Sequence, residues 1–551
     1  MIGVLADGAD TGLIEEFFEL FKTPWGLYRE GGGFDVVICR GDQRPDHPAK
    51  LVLIYGSEET DWDRLHGLRV RSRGVETMLP DPSGEIPLYE RWSTFEGTGV
   101  PLLTDPGSRE SLAFELPAPS GRVVRLGFDL FREIRHLLTE GQPVCHAATP
   151  TVERHIDLLR RLIVGSGIRL VEIPPVPAGY NFIACLTHDV DHAEVRRHKW
   201  DRTLAGFLYR ATLGSFLDFC AGRRSLGDLG RNWAAVMKLP FVFLGVAKDF
   251  WLPFERYLEI EKGLVSTFFF IPRKGDAGLN SKGEAVAMRA ARYDLADLVP
   301  ELARLAAVGD EIGLHGIDAW RDSVKGREER EHIARLSGRK EVGARMHWLY
   351  FDQNAPAHLE EAGLSYDSTS GYNETVGYRV GTTQVFKPLG LERLLELPMH
   401  VMDTALFYPR HRNLSRREAW PVVEDLVRKA GHFGGVLTVN WHDRSIVPER
   451  LWGGFYIDLL ADLKQNGAWF ATGADTVSWF RMRRAAVIEG VSFENETLTV
   501  KAQLKPKDHL PGLTIRVHNP ASAADFLHKP GELPQFVDAR LCEHTKIAVA
   551  A

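Results

Sequence analysis

Residues 181–195 read NFIACLTHDVDHAEV. An apolar run from Phe182 to Leu186 ends abruptly in Thr187-His188-Asp189-Val190-Asp191-His192. The run has the length and composition of a buried strand. At its end, two carboxylates and two imidazoles crowd into five positions. On an extended backbone residues i and i+2 share a face, so Asp189 and Asp191 point the same way. Carboxylates held side by side repel unless a cation or a proton sits between them. Two readings fit. Either a metal-ligating aspartate stands beside a general-base aspartate, or Asp191 only caps a following helix.

The same texture recurs downstream. STFFFIP (266–272) and EIGLHG (311–316) read as strands, with the helical stretch LADLVPELARLAAVG (295–309) between them. HLEEAGLSYDST (358–369), LLELPMHVMD (394–403) and GGVLTVNWHD (434–443) continue the alternation. Such β–α repetition predicts a parallel sheet or barrel with helices outside, spanning 181–480. Polar residues cluster just after the strands, at Asp189 and Asp191, His315, Asp403 and His442, the end where α/β barrels carry active sites. GARMHWLYF (343–351) adds Arg345 and His347, which share a face if the chain is extended.

Outside this core, residues 1–175 read as a separate α/β domain. FDVVICR (34–40), KLVLIYG (50–56) and VVRLGFDL (123–130) suit strands, and TVERHIDLLRRLIVGSG (151–167) is a helix ending at glycine. The prolines of IPPVPAGY (173–180) mark a linker. Between the first two barrel strands lies an insertion, 193–250, that starts basic (RRHKWDR) and turns apolar (LPFVFLGVA). Helices are expected there. They suit a lid on the barrel, or a peripheral contact with a membrane or partner. After 485, TLTVKAQL and LTIRVHN alternate polar and apolar residues, which predicts a small β-rich module over 485–551.

Composition narrows the function. The chain has 551 residues, 44% hydrophobic and 26% charged, with net charge −7. An acidic balance speaks against nucleic acid as a partner. No window of 18 apolar residues occurs, so no transmembrane helix is expected. The N-terminus lacks a basic region followed by an apolar one, which points to a cytoplasmic protein. Five cysteines, none at CxxC spacing, suggest isolated buried thiols rather than disulfides or a thiolate zinc site. Neither a GxSxG elbow nor a GxxxxGK[ST] loop is present.

Taken in order, these segments resemble the polysaccharide-deacetylase family, also called NodB-homology or carbohydrate esterase family 4. Thr187-His188-Asp189-Val190-Asp191 matches its acidic first motif, in an Asp-x-Asp form. Glu311-Ile312-Gly313-Leu314-His315-Gly316 matches the first half of its second motif, Arg345 its arginine, and Val439-Asn440-Trp441-His442 its Leu-x-His. Tyr366-Asp367-Ser368-Thr369 and Gly377-Tyr378-Arg379 resemble a divergent bacterial branch whose first motif is THDVD. The resemblance covers 181–480 and implies a deformed (β/α) barrel. One departure stands out: the family's second histidine falls at Ala319. Asp318 and His347 are the candidates to replace it, with His347 preferred because histidine suits a mixed Asp/His site.

The resemblance implies a divalent metal, zinc first, with cobalt or nickel as alternatives, held by Asp191, His315 and His347. It makes Asp189 the general base, Arg345 the group that keeps Asp189 ionised, and His442 the general acid. Asp403 is the candidate to orient His442, while Asp443 should face away. The implied reaction removes an acetyl group from an N-acetylated carbohydrate or related amide. The alternatives are a metal-free carbohydrate-binding or scaffolding protein, suggested by Ala319, and a hydrolase of a small non-peptide amide. Trp320, Trp348, Tyr350, Tyr372 and Trp441 are candidates to stack on sugar faces, or are ordinary core.

Overall fold

The apolar runs read from the sequence form strands in a computed structural model of the chain. It describes all residues except 6–7, 46, 48, 82–83, 105–108, 117, 119–120, 253, 521–534 and 549–551. The chain divides into two compact units. One comprises Tyr180–Arg379 and Leu391–Ser478; the other comprises Met1–Gly179, Val380–Gly390 and Trp479–Ala551.

The first of these units is α/β, a curled parallel sheet in the manner of a deformed (β/α) barrel. Its strands are β1 (Phe182–Val190), β2 (Thr267–Phe270), β3 (Glu311–Gly316), β4 (Gly343–Met346), β5 (Tyr366–Asp367), β6 (Leu395–Glu396), β7 (Val401–Met402), β8 (Val436–Asn440) and β9 (Ala468–Ala471). The spatial order is β6-β5-β4-β3-β2-β1-β8-β7, with β9 also paired to β1, and every pairing is parallel. All nine residues of β1 are buried, and so is every residue of β2, β3, β4 and β8. That burial explains why these strands read as near-continuous apolar runs rather than alternating ones. Register fixes the site. Thr187 lies opposite both Thr267 and Asn440, and His315 lies opposite Arg345.

The insertion between β1 and β2 is helical, as expected. It contains α1 (Arg202–Tyr209), a π-helical turn (Arg210–Gly214), α2 (Ser215–Cys220) and α3 (Leu226–Phe243). Helix α3 starts at a capping box in which Ser225 and Asp228 satisfy each other's backbone N–H. Leu204, Phe207, Ala211, Ala235, Leu239 and Val242 pack with Trp251 and Val447 into a cluster of their own. Further on, α4 (Val299–Val308) precedes β3 and α5 (Ser323–Ser337) follows it. Asp322 caps α5 by accepting from Val324 and Lys325 N–H, and Gly338 ends it at φ +70°.

In the other unit, five parallel strands (Trp25–Leu27, Ile2–Val4, Val36–Arg40, Leu51–Tyr55 and Arg122–Leu126) continue into two antiparallel ones, Ala113–Leu116 and Val100–Pro101. The helices Thr11–Phe21, Leu130–Thr139 and Thr151–Val164 share a core with this sheet. A long hairpin, Leu68–Leu79 with Ile86–Gly97, gave no clear signal in the sequence, because most of its first strand is solvent-facing. The C-terminal region is β-rich. Thr514–His518 pairs with Leu170–Glu172 and Phe536–Arg540, while Thr497–Gln503 pairs with Val487–Glu494 and His544–Ala548. Its strands therefore group with the N-terminal α/β elements, as does the excursion Val380–Gly390, whose Thr382 and Thr383 bond to Glu153. Part of the module expected at 485–551 lies outside the described residues.

One smaller expectation needs adjustment. Cys39 and Cys185 are buried free thiols, but Cys145, Cys220 and Cys542 are exposed. Among the described residues, no helix is long and apolar enough to cross a membrane.

Leu437, fully buried in β8, tests how much the central sheet stabilises its unit. Leu437→Ala should lower unfolding free energy by about 2–5 kcal/mol, the cost of lost burial plus a cavity. Urea denaturation of purified protein measures this, and a loss below about 1 kcal/mol would mean the strand collapses around the gap.

Candidate active site

The strand ends deliver the functional side chains to one place. Asp189 is the penultimate residue of β1, and Asp191 follows the strand end. His315 sits in β3, Arg345 in β4, and His347 opens the turn after β4. His442 follows β8, and Asp403 follows β7. The structure brings all seven together.

Asp191, His315 and His347 present one donor atom each, all within 4.8 Å of one another. Asp191 Oδ1 lies 3.4 Å from His315 Nε2 and 3.4 Å from His347 Nδ1, and the two ring nitrogens are 2.9 Å apart. Ligands at 2.0–2.1 Å around a tetrahedral ion lie roughly 3.3 Å from each other, so the spacing suits such an ion. The protonation pattern agrees. His315 Nδ1 donates to the Arg345 carbonyl at 3.0 Å, which leaves Nε2 with its lone pair facing the site. Burial pushes the His347 ring down to about 3, so it stays neutral. Asp191 Oδ1 is buried and accepts no hydrogen bond. His347 arrives on a costly backbone: Trp348 and Leu349 both take positive φ, at 64° and 53°. Arg289 secures this turn by donating to the His347 and Ile317 carbonyls.

Asp318, the other candidate ligand, is engaged elsewhere. It accepts from Lys325 Nζ at 2.6 Å and from Leu279 N–H at 3.0 Å. Ala319 is fully buried in the core and sits against Gly326 of α5.

Asp189 occupies the other side. Its Oδ1 accepts from Arg345 Nη1 at 3.0 Å, and its Oδ2 accepts from Asn440 Nδ2 at 2.7 Å. Oδ2 is also 3.9 Å from both His315 Nε2 and His442 Nε2. Burial alone would raise the carboxyl pKa; Arg345, then the two histidines, outweigh it and hold the group below its ordinary value. Arg345 is locked in turn. Its Nε donates to the Ser368 carbonyl, Nη2 to Ser368 Oγ and Nη1 also to Thr187 Oγ1, while the guanidinium lies over the Phe269 ring.

His442 points Nε2 at the cleft because Nδ1 is committed to Asp403 Oδ1 at 2.7 Å. Asp403 Oδ2 accepts from His442 N–H and Ser445 Oγ, so its orientation is fixed. Burial works against the imidazolium, but the Asp403 carboxylate more than compensates and raises His442 to about 9. Asp443 turns away, accepting from the His192 and Ala193 N–H groups.

Some residues that mattered were not read from the sequence. Asn440, Thr187 and Ser368 act through hydrogen bonds across the sheet, which only the register reveals, and Arg289 acts from a turn between β2 and β3 on loop carbonyls. His188, inside the first motif, faces away from the site and bonds to the Trp441 carbonyl and to Glu261. Of the five aromatic candidates, only Trp348 and Tyr350 line the cleft. Trp320 and Tyr372 are buried, and Trp441 stacks in the core on Phe455 and Tyr456. The cleft encloses about 1060 Å³, large enough for a sugar with a sizeable substituent.

No protein-family model matches the chain, and no curated protein matches it. Solved structures similar to it include a putative polysaccharide deacetylase from Mycobacterium smegmatis, 17% identical, covering 56% of this chain and 94% of that one, with a TM-score of 0.34. Another is peptidoglycan deacetylase PdaC from Bacillus subtilis, 11% identical, covering 56% and 95%, with a TM-score of 0.25. A third is BA3943 from Bacillus anthracis, a CE4 family pseudoenzyme, 14% identical, covering 41% and 60%, with a TM-score of 0.24.

The His442–Asp403 contact gives a direct prediction. With the pKa raised to about 9, the His442 ring stays protonated through neutral pH and loses its proton only as pH rises toward that value. Asp403→Asn removes the largest raising cause and leaves burial opposed only by the Asp191 and Asp189 carboxylates, so the pKa should fall from that value. NMR titration of the ring reads this directly, and an unmoved pKa would show that another group holds the proton.

Proposed function

We propose that this chain is a metal-dependent hydrolase that removes an acetyl group from an N-acetylated sugar or a related non-peptide amide. One observation carries the reading: a three-donor Asp/His/His set stands beside an ionised carboxylate and a protonated imidazole. Hydrolysis of an amide needs those two opposite proton-transfer groups on either side of one polarised carbonyl.

The donor set fits a divalent ion. Asp191 Oδ1 has no other partner, His315 is held in the tautomer that ligates, and His347 is neutral. One proton can bridge the two ring nitrogens at 2.9 Å, and a cation would replace it. Zinc suits this mixture best, with cobalt or nickel close behind. When bound, such an ion supplies Lewis-acid polarisation of the acyl carbonyl and acidifies water.

The protein's own groups then divide the work. Asp189, kept ionised by Arg345 and fixed by Asn440, takes the proton from the attacking water. His442 enters protonated and gives its Nε2 proton to the departing amine, which could not leave as an anion. Asp403 holds the ring so that this proton faces the cleft. Trp348 and Tyr350 offer apolar surface for a sugar ring.

Metal analysis of purified protein comes first. About one zinc, cobalt or nickel per chain is expected, lost on His315→Ala or His347→Ala. Failure to take up any of the three favours a metal-free binding protein. Asp189→Asn should abolish release of acetate from an N-acetylated oligosaccharide while leaving metal content unchanged. His442→Ala should slow that release by about 10²–10⁴-fold, and a change within about threefold would remove it as the acid.

A further inference from the structure

The cleft carries more positive charge than catalysis of amide hydrolysis requires. Seven arginines line it, at 202, 210, 289, 292, 410, 444 and 450, against four carboxylates, Asp189, Asp191, Asp201 and Asp443. Arg289 is occupied with backbone carbonyls, and Arg292 faces Asp201 at 3.7 Å. Arg210, Arg444 and Arg450 differ. Among the described residues, none of the three donates a side-chain hydrogen bond or forms an ion pair, and Arg210 Nε is buried without a partner. Arg444 lies over the Trp251 ring at 4.8 Å and Arg450 over Trp452 at 4.8 Å, so stacking fixes them while leaving their N–H groups free. Arg210 comes from the π-helical turn, and the other two come from the loop after β8. Arg224 and Asn232 of the insertion bond to the Glu449 and Pro448 carbonyls, which ties these elements together.

Partly buried guanidinium groups close enough to repel one another are unfavourable without a counter-ion. Burial, then Arg450, pulls the Arg444 guanidinium down to about 10. The neighbouring carboxylates do not cancel the excess. Glu449 is buried and accepts from Trp251 Nε1, and Asp443 is turned to backbone N–H groups. We propose that Arg210, Arg444 and Arg450 form a subsite for a phosphoryl group on the substrate. Guanidinium forks approaching from two elements match a tetrahedral dianion better than a planar carboxylate. The substrate is then a phosphorylated or diphosphate-linked N-acyl sugar, with its amide at the Asp191, His315 and His347 end. This rests on reading the cleft as the hydrolase's substrate site, but phosphate binding can be measured without turnover.

The test is calorimetric titration of the full-length protein with inorganic phosphate and with pyrophosphate, before and after chelation of metal. Binding should survive chelation and weaken with salt. Arg444→Gln and Arg450→Gln should each weaken it by about tenfold, the scale of one charge-assisted bond. Arg210→Gln, on a different element, repeats the test should the loop variants not fold. Tighter binding of pyrophosphate would mark a diphosphate-linked substrate, and equal binding a monoester. No binding, binding indifferent to the arginines, or binding abolished by His315→Ala would overturn the subsite. Asp189→Asn separates the two claims: lost turnover with retained pyrophosphate binding leaves the subsite standing whatever the reaction is.

A second inference rests on a different surface. Thirteen of the 32 large exposed hydrophobic side chains among the described residues fall within 200–246. Helix α3 has two apolar faces. Leu229, Asn232, Ala235, Leu239 and Val242 are buried, while Leu226, Trp233, Met237 and Phe241 form a second stripe at seven- and four-residue spacing that faces solvent. Leu213, Phe216, Leu217 and Phe219 extend it across the π-helical turn and α2, and Leu244 and Val246 beyond α3 are 74% and 78% exposed. Residues 193–250 hold ten Lys or Arg against five Asp or Glu, in a chain of net charge −7. An apolar face flanked by basic residues, on an otherwise acidic protein, complements an anionic lipid surface.

We infer that this helical insertion seats on an anionic bilayer. Sedimentation with vesicles of phosphatidylcholine containing about 30% phosphatidylglycerol should carry the protein down, and pure phosphatidylcholine vesicles should carry much less. The double variant Met237→Ser, Phe241→Ser should cut the bound fraction at least about fivefold, since each loses apolar burial in lipid. Trp233 emission should shift to the blue on binding. No vesicle binding, or binding unchanged by the double variant, would overturn the inference. So would a stable dimer in analytical ultracentrifugation that the same variant dissociates, because a second copy would then cover the face.

Discussion

Arg345 is fully buried, and a guanidinium so placed is tolerable only when its donors and its charge are all answered. Here they are answered by Thr187, Asp189 and two oxygens of Ser368, with the Phe269 ring beneath. These partners come from two strands, β1 and β2, and the segment after a third, β5. The arginine can be satisfied only when β1, β2, β4 and β5 are in register. The same contact leaves Asp189 ionised and sets the carboxylate against His315 and His442. One ion pair therefore couples the folding of the central sheet to the charge state of the site. Breaking a buried pair by removing one partner typically costs about 3–5 kcal/mol, more than most single contacts in a domain.

The parts of this arrangement legible in the sequence were those written along one strand. An apolar run ending in Asp-x-Asp, and others ending in His315 or His442, announce both a parallel sheet and the edge at which chemistry gathers. Asp403 and His347 were readable too, because each stands just past a strand in a chain whose order of segments was already clear. What was not legible depends on register between strands. Nothing local to Asn440 says that it faces Asp189, and nothing local to Ser368 says that it holds an arginine. Trp441 shows the opposite failure, since its place beside His442 suggests a ligand contact while its ring is packed into the core. The grouping of the C-terminal strands with the N-terminal α/β elements was also hidden, because strand pairing across more than 300 residues leaves no periodic trace in the sequence.

The insertion after β1 changes what the barrel can accept. Its first turns line the cleft with Gly206 and Arg210, while its outer face keeps bulky apolar side chains in water. A soluble domain rarely leaves so large an apolar surface uncovered. The insertion contributes Arg202 and Arg210 to a cleft otherwise lined by arginines from loops, and its outer helices are apolar and basic.

The strained turn at Trp348 has a consequence for how such a site can change. The third donor, His347, depends on two consecutive residues in the left-handed region, held by Arg289. There is little space at position 319: a Cβ on Gly326 would already lie 3.1 Å from that of Ala319. A histidine there would have to displace α5, and a relaxed turn after β4 would withdraw His347. The donor cluster is therefore tied to the strained turn itself: whatever relaxes Trp348 and Leu349 also withdraws a ring nitrogen from it.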